Sequence, residues 1–156
     1  MIEFDVPGLS SFHIVSLVLD VNGTLAVDGK IIDGVKERLH RLAGKLRIVM
    51  LTANTHGKQD EIDQLLDLSS VRLSATKEAE QKGAFVEQLG PQTVVAIGNG
   101  ANDRLMLEKA ALGIAVLGPE GTATGCLASA DIVCRDILDA LDLLIKPKRI
   151  IATLRR

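Results

Sequence analysis

The sequence contains no tryptophan and no tyrosine, and only three phenylalanines. A base- or sugar-binding platform built from stacked aromatic rings is therefore not to be expected. Cysteine is scarce too. Cys126 and Cys134 share no CxxC spacing and have no histidine beside them, which argues against a thiolate metal centre and for two inert buried thiols. No apolar run is long enough to span a bilayer, and the first residues, MIEFDVPGLSSFHIVS, lack the basic stretch and apolar core of a secretory leader. A cytoplasmic protein without membrane contact is expected. Nor is there an excess of either charge: 18 Lys and Arg stand against 20 Asp and Glu, and the basic residues cluster only at Lys146–Arg149 and Arg155-Arg156. Nucleic acid is not an expected partner.

What the chain does have is apolar content, 47% over 156 residues, enough for one domain with a sizeable core. Short apolar runs alternate with segments of helical period. The runs are His13–Asp20, Leu46–Thr52, Val71–Ser74, Thr93–Gly98, Leu112–Val116 and Asp131–Cys134. Their β-branched, nearly continuous hydrophobicity suits strands covered on both faces. Asp33 is placed to cap a helix carrying Val35, Leu39 and Leu42, with Gly44 at its end. Further stripes follow at Ile62, Leu65 and Leu66, at Phe85, Val86 and Leu89, and at Leu105, Met106 and Ala110, with two more helices in ILDALDLLI and KRIIATLRR. This alternation predicts an α/β fold: three layers, α/β/α, around a mostly parallel sheet, as one domain over residues 1–156.

In such sheets ligands bind beyond the carboxyl ends of the strands. Those ends deliver Asp20, then Thr52-Ala53-Asn54, then Gly98-Asn99-Gly100-Ala101-Asn102-Asp103. Asn22-Gly23 is open to two readings, since Asn-Gly is also a strong hairpin signal. Asp28-Gly29 is the better turn, and would close a small flap in which Thr24–Val27 pairs with Lys30–Ile32. Each polar residue has a plain alternative as well. Thr52 could be a strand-end hydroxyl, Lys82 a solvated helix residue, and Asn102 or Asp103 a helix cap. His13, His40 and His56 lack ligand spacing, and only His56 lies near a strand end of interest. Gly118–Gly125, GPEGTATG, reads as a turn and helix start, or as a loop on the rim of the site.

Four segments in order resemble the motifs of the haloacid dehalogenase (HAD) superfamily of phosphohydrolases. DVNGTL resembles its first motif, LTANT its second, QKGAFVEQLG offers the third-motif lysine as Lys82, and GNGANDRLML resembles the fourth. GNGANDRLMLEKAALGIAV is also similar to the hinge region of P-type ATPase phosphorylation domains. The resemblance spans His13 to Asp136 and leaves no room for a cap domain, like the soluble P-type ATPase-like members. It implies a Rossmann-like HAD fold, an Asp20 nucleophile that becomes an aspartyl phosphate, and Mg2+ bound by Asp20, the main-chain carbonyl of Asn22, Asn99 and Asp103. Gly23, Thr52, Ala53, Lys82 and Asn102 would contact the phosphate, with Asn102 and Asp103 orienting Lys82 or metal-bound water; Lys77 is the fallback for Lys82.

Two departures qualify that reading. Asn22 stands where the family's phosphatases carry an acid/base Asp, and Asn99 where they carry a metal-binding Asp. General acid-base help is worth about 100- to 10,000-fold, so slow turnover is expected. An amide oxygen also holds Mg2+ less strongly than a carboxylate. The expectation is a Mg2+-dependent phosphohydrolase acting on a small phosphate ester or anhydride, with a homo-oligomer as one way to cover the uncapped site. The alternative is a non-catalytic or regulatory protein of the same fold that binds a phosphorylated ligand or a protein partner.

Overall fold

A computed structural model describes residues 1–53 and 57–156. The chain begins with a hairpin, β1 (Ile2–Val6) against β2 (Ser10–Ile14), and then enters β3 (Ser16–Asp20). A two-strand flap follows, β4 (Ala26–Val27) and β5 (Lys30–Ile31), before α1 (Val35–Ala43), β6 (Arg47–Thr52), α2 (Gln59–Leu66) and β7 (Ser70–Arg72). The second half runs α3 (Glu78–Leu89), β8 (Val94–Gly98), α4 (Arg104–Lys109), β9 (Leu112–Val116), α5 (Thr124–Ala128), β10 (Ile132–Cys134), α6 (Ile137–Ile145) and α7 (Lys148–Leu154).

Six strands form one parallel sheet in the order β10-β9-β8-β3-β6-β7. From β3 the chain winds outward through β6 and β7, then returns to β8 on the other side of β3 and winds outward again. The strand order therefore reverses between β3 and β8, where open α/β sheets form their ligand crevice. Alternation along the strands divides the core in two. Leu17, Leu19, Val95 and Ile97 join one apolar cluster with α1, α2, α6, α7 and the first hairpin. Val18, Val94 and Ala96 join the other with α3, α4 and α5. This is the expected three-layer α/β/α arrangement.

The structure alters several expected elements. The run His13–Asp20 is not one strand: it breaks at Val15, which is 44% exposed, while its N–H bonds to Thr93 O and its carbonyl accepts from Arg47 N, both at 2.9 Å. His13 and Ile14 belong instead to the first hairpin, whose half-buried alternation ends in stacked Phe4 and Phe12 rings 5.0 Å apart. Asp33 does not cap α1. Gly34 occupies the N-cap position with φ 89° and no side-chain hydrogen bond, a left-handed conformation that glycine adopts without steric cost. Leu65 is half exposed, because the buried face of α2 is formed by Gln59, Ile62 and Leu66.

The flap forms as expected. Val27 pairs with Lys30, and Asp28 and Gly29 both have positive φ, 50° and 74°, the signature of a two-residue type I′ turn. Asn22-Gly23 instead belongs to a tight loop in which Val21 O accepts from the N–H groups of Thr24, Leu25 and Ala26. That loop lifts the chain off the end of β3 and leaves Asp20 as its last residue.

Candidate active site

Asp20 closes a strand buried at every position, and only its carboxylate reaches past the apolar core. Lys82 comes from the inward face of α3. Its ammonium donates to Asp20 Oδ1 at 2.7 Å and to Asp103 Oδ1 at 2.6 Å, with the lysine 1% exposed. Asp103 is held from behind, since its Oδ2 accepts from the N–H groups of Asn99 and Gly100 at 2.9 and 2.8 Å. Gly98 makes that approach possible: a Cβ there would lie 2.5 Å from the Asp103 carboxyl carbon. Three buried ionisable groups thus form one chain, a single ammonium held between two carboxyl groups.

The electrostatics follow from burial. Loss of water pushes the Asp20 carboxyl up to about 7, and the charge of Asp103 pushes in the same direction, while Lys82 and Thr24 oppose them. Burial alone would lower the Lys82 ammonium, but the two carboxylates outweigh it and hold the proton on more firmly than usual. Burial likewise pushes the Cys126 thiol up to about 12 and the Cys134 thiol up to about 11, as expected of unreactive thiols.

The neighbouring polar groups are fixed by one another. The Thr24 hydroxyl lies 3.0 Å from Asp20 Oδ2 and 3.1 Å from Asn99 Oδ1. Asn99 Nδ2 donates to Gly121 O at 3.0 Å, and the Ala123 N–H donates to Asn99 O at 2.9 Å. The Asn99 amide therefore clasps the segment after β9 and turns its oxygen toward Thr24. An Asp at this position would have no proton for Gly121 O. Asn22 Nδ2 makes a long 3.5 Å contact to Thr52 Oγ1.

A cavity of about 520 Å³ opens over these groups. Of the residues singled out from the sequence, Asp20, Asn22, Thr52, Ala53, Lys82, Asn99 and Asn102 line it. Gly23 does not; it is buried at φ 81°, where a side chain would strike the Asn99 amide. Asp103 sits behind Lys82, and Asn102 bonds to Glu78 Oε2 at 2.6 Å rather than approaching Lys82. Lys77 is exposed just before α3, so Lys82 is the lysine beside Asp20. Asn54 and His56 lie outside the described residues.

Sequence reasoning missed Glu78 and Glu120, which also line the cavity. The signal for Glu78 was its place four residues before Lys82, on the same helical face. The segment Gly118–Gly125 combines both of its readings: a turn and the start of α5, with Gly121, Thr122 and Ala123 forming one cavity wall. Among the described residues no three His, Cys, Asp or Glu side chains converge as metal ligands, and no helix is long and apolar enough to cross a membrane.

The chain is similar to proteins of both known and unknown activity. No family model matches it. It is 53% identical over 62 residues to the uncharacterized protein MJ0073 of Methanocaldococcus jannaschii, covering 40% of this chain and 67% of that one. A 39-residue match to MJ0072 of the same organism is 54% identical and covers 25% of this chain and 89% of the relative. A phosphoserine phosphatase of Archaeoglobus fulgidus is 40% identical over 65 residues, which is 36% of this chain but only 19% of that enzyme's length.

Among solved structures, a protein described as a HAD family hydrolase from Streptomyces avermitilis superposes with a TM-score of 0.68 at 18% identity, covering 87% of each chain. The 3-deoxy-D-manno-octulosonate 8-phosphate phosphatase of Moraxella catarrhalis, in complex with magnesium and phosphate ions and its KDO molecule, gives 0.65 at 21% identity, over 92% and 94% of the two chains. The chain thus belongs to one family with MJ0073 and MJ0072, and its fold is that of the HAD hydrolases.

Proposed function

We propose that this protein is a divalent-metal-dependent phosphohydrolase that works through an aspartyl phosphate on Asp20. The observation that carries this reading is the buried Asp20–Lys82–Asp103 chain opening into a cavity that Thr52 also lines. A carboxylate at a strand end, a fixed cation beside it and a hydroxyl opposite are what phosphoryl transfer needs, because the reaction depends on positioning and on charge compensation. Asp20 attacks phosphorus, the bond to the leaving oxygen breaks, and that oxygen takes a proton from solvent. Lys82 compensates charge on the phosphoryl group, Asp103 keeps Lys82 in place, and Thr52 orients the group. Ala53 and the polypeptide around Asn102 complete the phosphate pocket.

The donor set fits a cation held jointly with a phosphate. Mg2+ is commonly bound through one or two carboxylates with substrate phosphate completing the shell. Here Asp20 offers the carboxylate and Asn99 a neutral oxygen whose direction is set by the hydrogen bond from its Nδ2 to Gly121 O. Asp20, Asn99 and the main-chain carbonyl of Asn22 would hold the ion, which supplies further charge compensation to the phosphoryl oxygens. Asn22 can neither donate nor accept the catalytic proton, so the leaving oxygen has no general acid at this position and turnover is slow. The hinge-like GNGANDRLML segment supports a phosphoenzyme of the P-type ATPase-like kind, and the partial relationship to a phosphoserine phosphatase supports a small phosphorylated substrate.

The test is incubation with p-nitrophenyl phosphate or acetyl phosphate and Mg2+, following hydrolysis and phosphorylated protein by intact mass. Wild type should acquire one phosphoryl group and Asp20→Asn none, and chelation by EDTA should abolish labelling. Failure of wild type to hydrolyse or to become labelled would favour the non-catalytic reading, a HAD-fold protein that binds a phosphorylated ligand or partner. Asn22 and Asn99 are the observations on that side.

A further inference from the structure

The proposed reaction leaves one role unfilled, a base for the water that releases phosphate from Asp20. Asn22 has no basic atom, and Lys82 is held protonated between two carboxylates. Two other carboxylates line the cavity. Glu120 is exposed on the turn after β9, and its Oε1 makes only a 3.4 Å contact with the Asp28 N–H.

Glu78 is held differently. It stands one helical turn before Lys82, which puts both side chains on one face of α3. A Glu and a Lys four residues apart ordinarily pair with each other. Here Lys82 turns to Asp20 and Asp103, and Glu78 takes the Asn102 amide on Oε2 at 2.6 Å. Asn102 and Asp103 belong to the same 3-10 turn, Ala101–Asp103, so one short segment positions both the lysine and the glutamate. Glu78 Oε1 has no partner among the described residues, and the side chain lines the cavity. The carboxylate is thus oriented through one oxygen while the other is left for a small molecule.

We propose that Glu78 is the general base of dephosphorylation, a role that rests on the aspartyl-phosphate reading above. Glu78 Oε1 takes a proton from water as the water oxygen bonds to phosphorus. The bond between phosphorus and the Asp20 oxygen breaks, and its electron pair returns to the Asp20 carboxylate. Inorganic phosphate leaves, and Glu78 passes its proton to solvent.

The experiment separates the two half-reactions. Protein is phosphorylated with acetyl phosphate and Mg2+, freed of excess reagent, and the decay of phosphoenzyme is followed by intact mass across pH. Glu78→Gln keeps an oxygen for Asn102, so it should fold and should phosphorylate at close to the wild-type rate. Its decay should slow by about 100-fold or more and lose its dependence on pH. Adding Asn22→Asp to Glu78→Gln should restore decay by supplying a carboxylate, and Glu80→Gln, on the exposed side of α3, should leave it unchanged. Wild-type decay in Glu78→Gln overturns the assignment alone. Absence of any Asp20-dependent phosphoenzyme in the wild type overturns both readings together.

Discussion

Replacing Lys82 by methionine tests the physical basis of the site without requiring a substrate. Methionine matches the apolar stem of lysine but removes the cation that lies 2.7 Å from Asp20 and 2.6 Å from Asp103. Both carboxylates are almost wholly buried, and breaking a buried ion pair by removing one partner costs about 3–5 kcal/mol. For a domain of this size each kcal/mol corresponds to about 2–4 °C, so the melting temperature should fall by roughly 6–20 °C. Asp20, whose carboxyl is already pushed up to about 7 by burial, can escape part of the penalty by taking up a proton. The loss should therefore be greatest in alkaline buffer and smaller in mildly acidic buffer. Thermal melts of Lys82→Met at two pH values on either side of neutrality measure this, with Lys77→Met as an exposed control expected to shift stability by no more than about 0.5 kcal/mol. A Lys82→Met protein that melts with the wild type in alkaline buffer, or loses the same amount at both pH values, would refute the argument.

Three other outcomes follow from the same geometry. Gly98→Ala places a Cβ 2.5 Å from the buried Asp103 carboxyl, so melting should drop by the equivalent of about 1–3 kcal/mol and labelling of Asp20 should slow as Asp103 is displaced from Lys82. Asn99→Asp removes the proton donated to Gly121 O; at about 0.5–1.5 kcal/mol for the lost hydrogen bond, hydrogen exchange at the Ala123 amide should accelerate up to about tenfold, and unchanged protection would contradict the clasp. The Asp20 carboxyl is raised from 3.8 to about 7 in the folded protein, so the folded state binds more protons than the unfolded one between those values. Its contribution to stability should be complete below about 3.8 and drain away as pH rises through about 7, with Asp20→Asn flattening that slope in urea titrations; the rate of phosphoenzyme formation should rise over the same range as the nucleophile ionises.

Much of the fold was legible because buried parallel strands and amphipathic helices write different periods. Val94–Gly98 and Leu112–Val116 are apolar at every position and form buried strands, while Val35, Leu39 and Leu42 mark the inward face of α1. The first hairpin was hidden because His13 and Ile14 run into Ser16–Asp20 with no glycine, proline or asparagine between them, and only the main-chain bonds of Val15 divide them. At the site, motif spacing brought out Asp20, Thr52, Lys82 and Asn99, each at the end of a strand or on a helix facing it. Glu78 and Glu120 were less visible: one looks like an ordinary solvated helix residue, and the other enters through the close approach of Gly118 to Gly23, which no local pattern encodes. The amide of Asn99 could be recognised as a departure, but not as a clasp, since Gly121 O is its partner only in three dimensions.

The Thr24 hydroxyl carries a single proton and faces two acceptors at nearly equal distance, Asp20 Oδ2 and Asn99 Oδ1. Pointed at Asp20, that proton takes up the second oxygen of a carboxylate whose other oxygen is already occupied by Lys82. Pointed at Asn99, it leaves one carboxylate oxygen unclaimed. Rotation about a single C–O bond, with no heavy atom displaced, would therefore arm or rest the nucleophile proposed above, and the rotor works because residue 99 is oriented to present an oxygen to it.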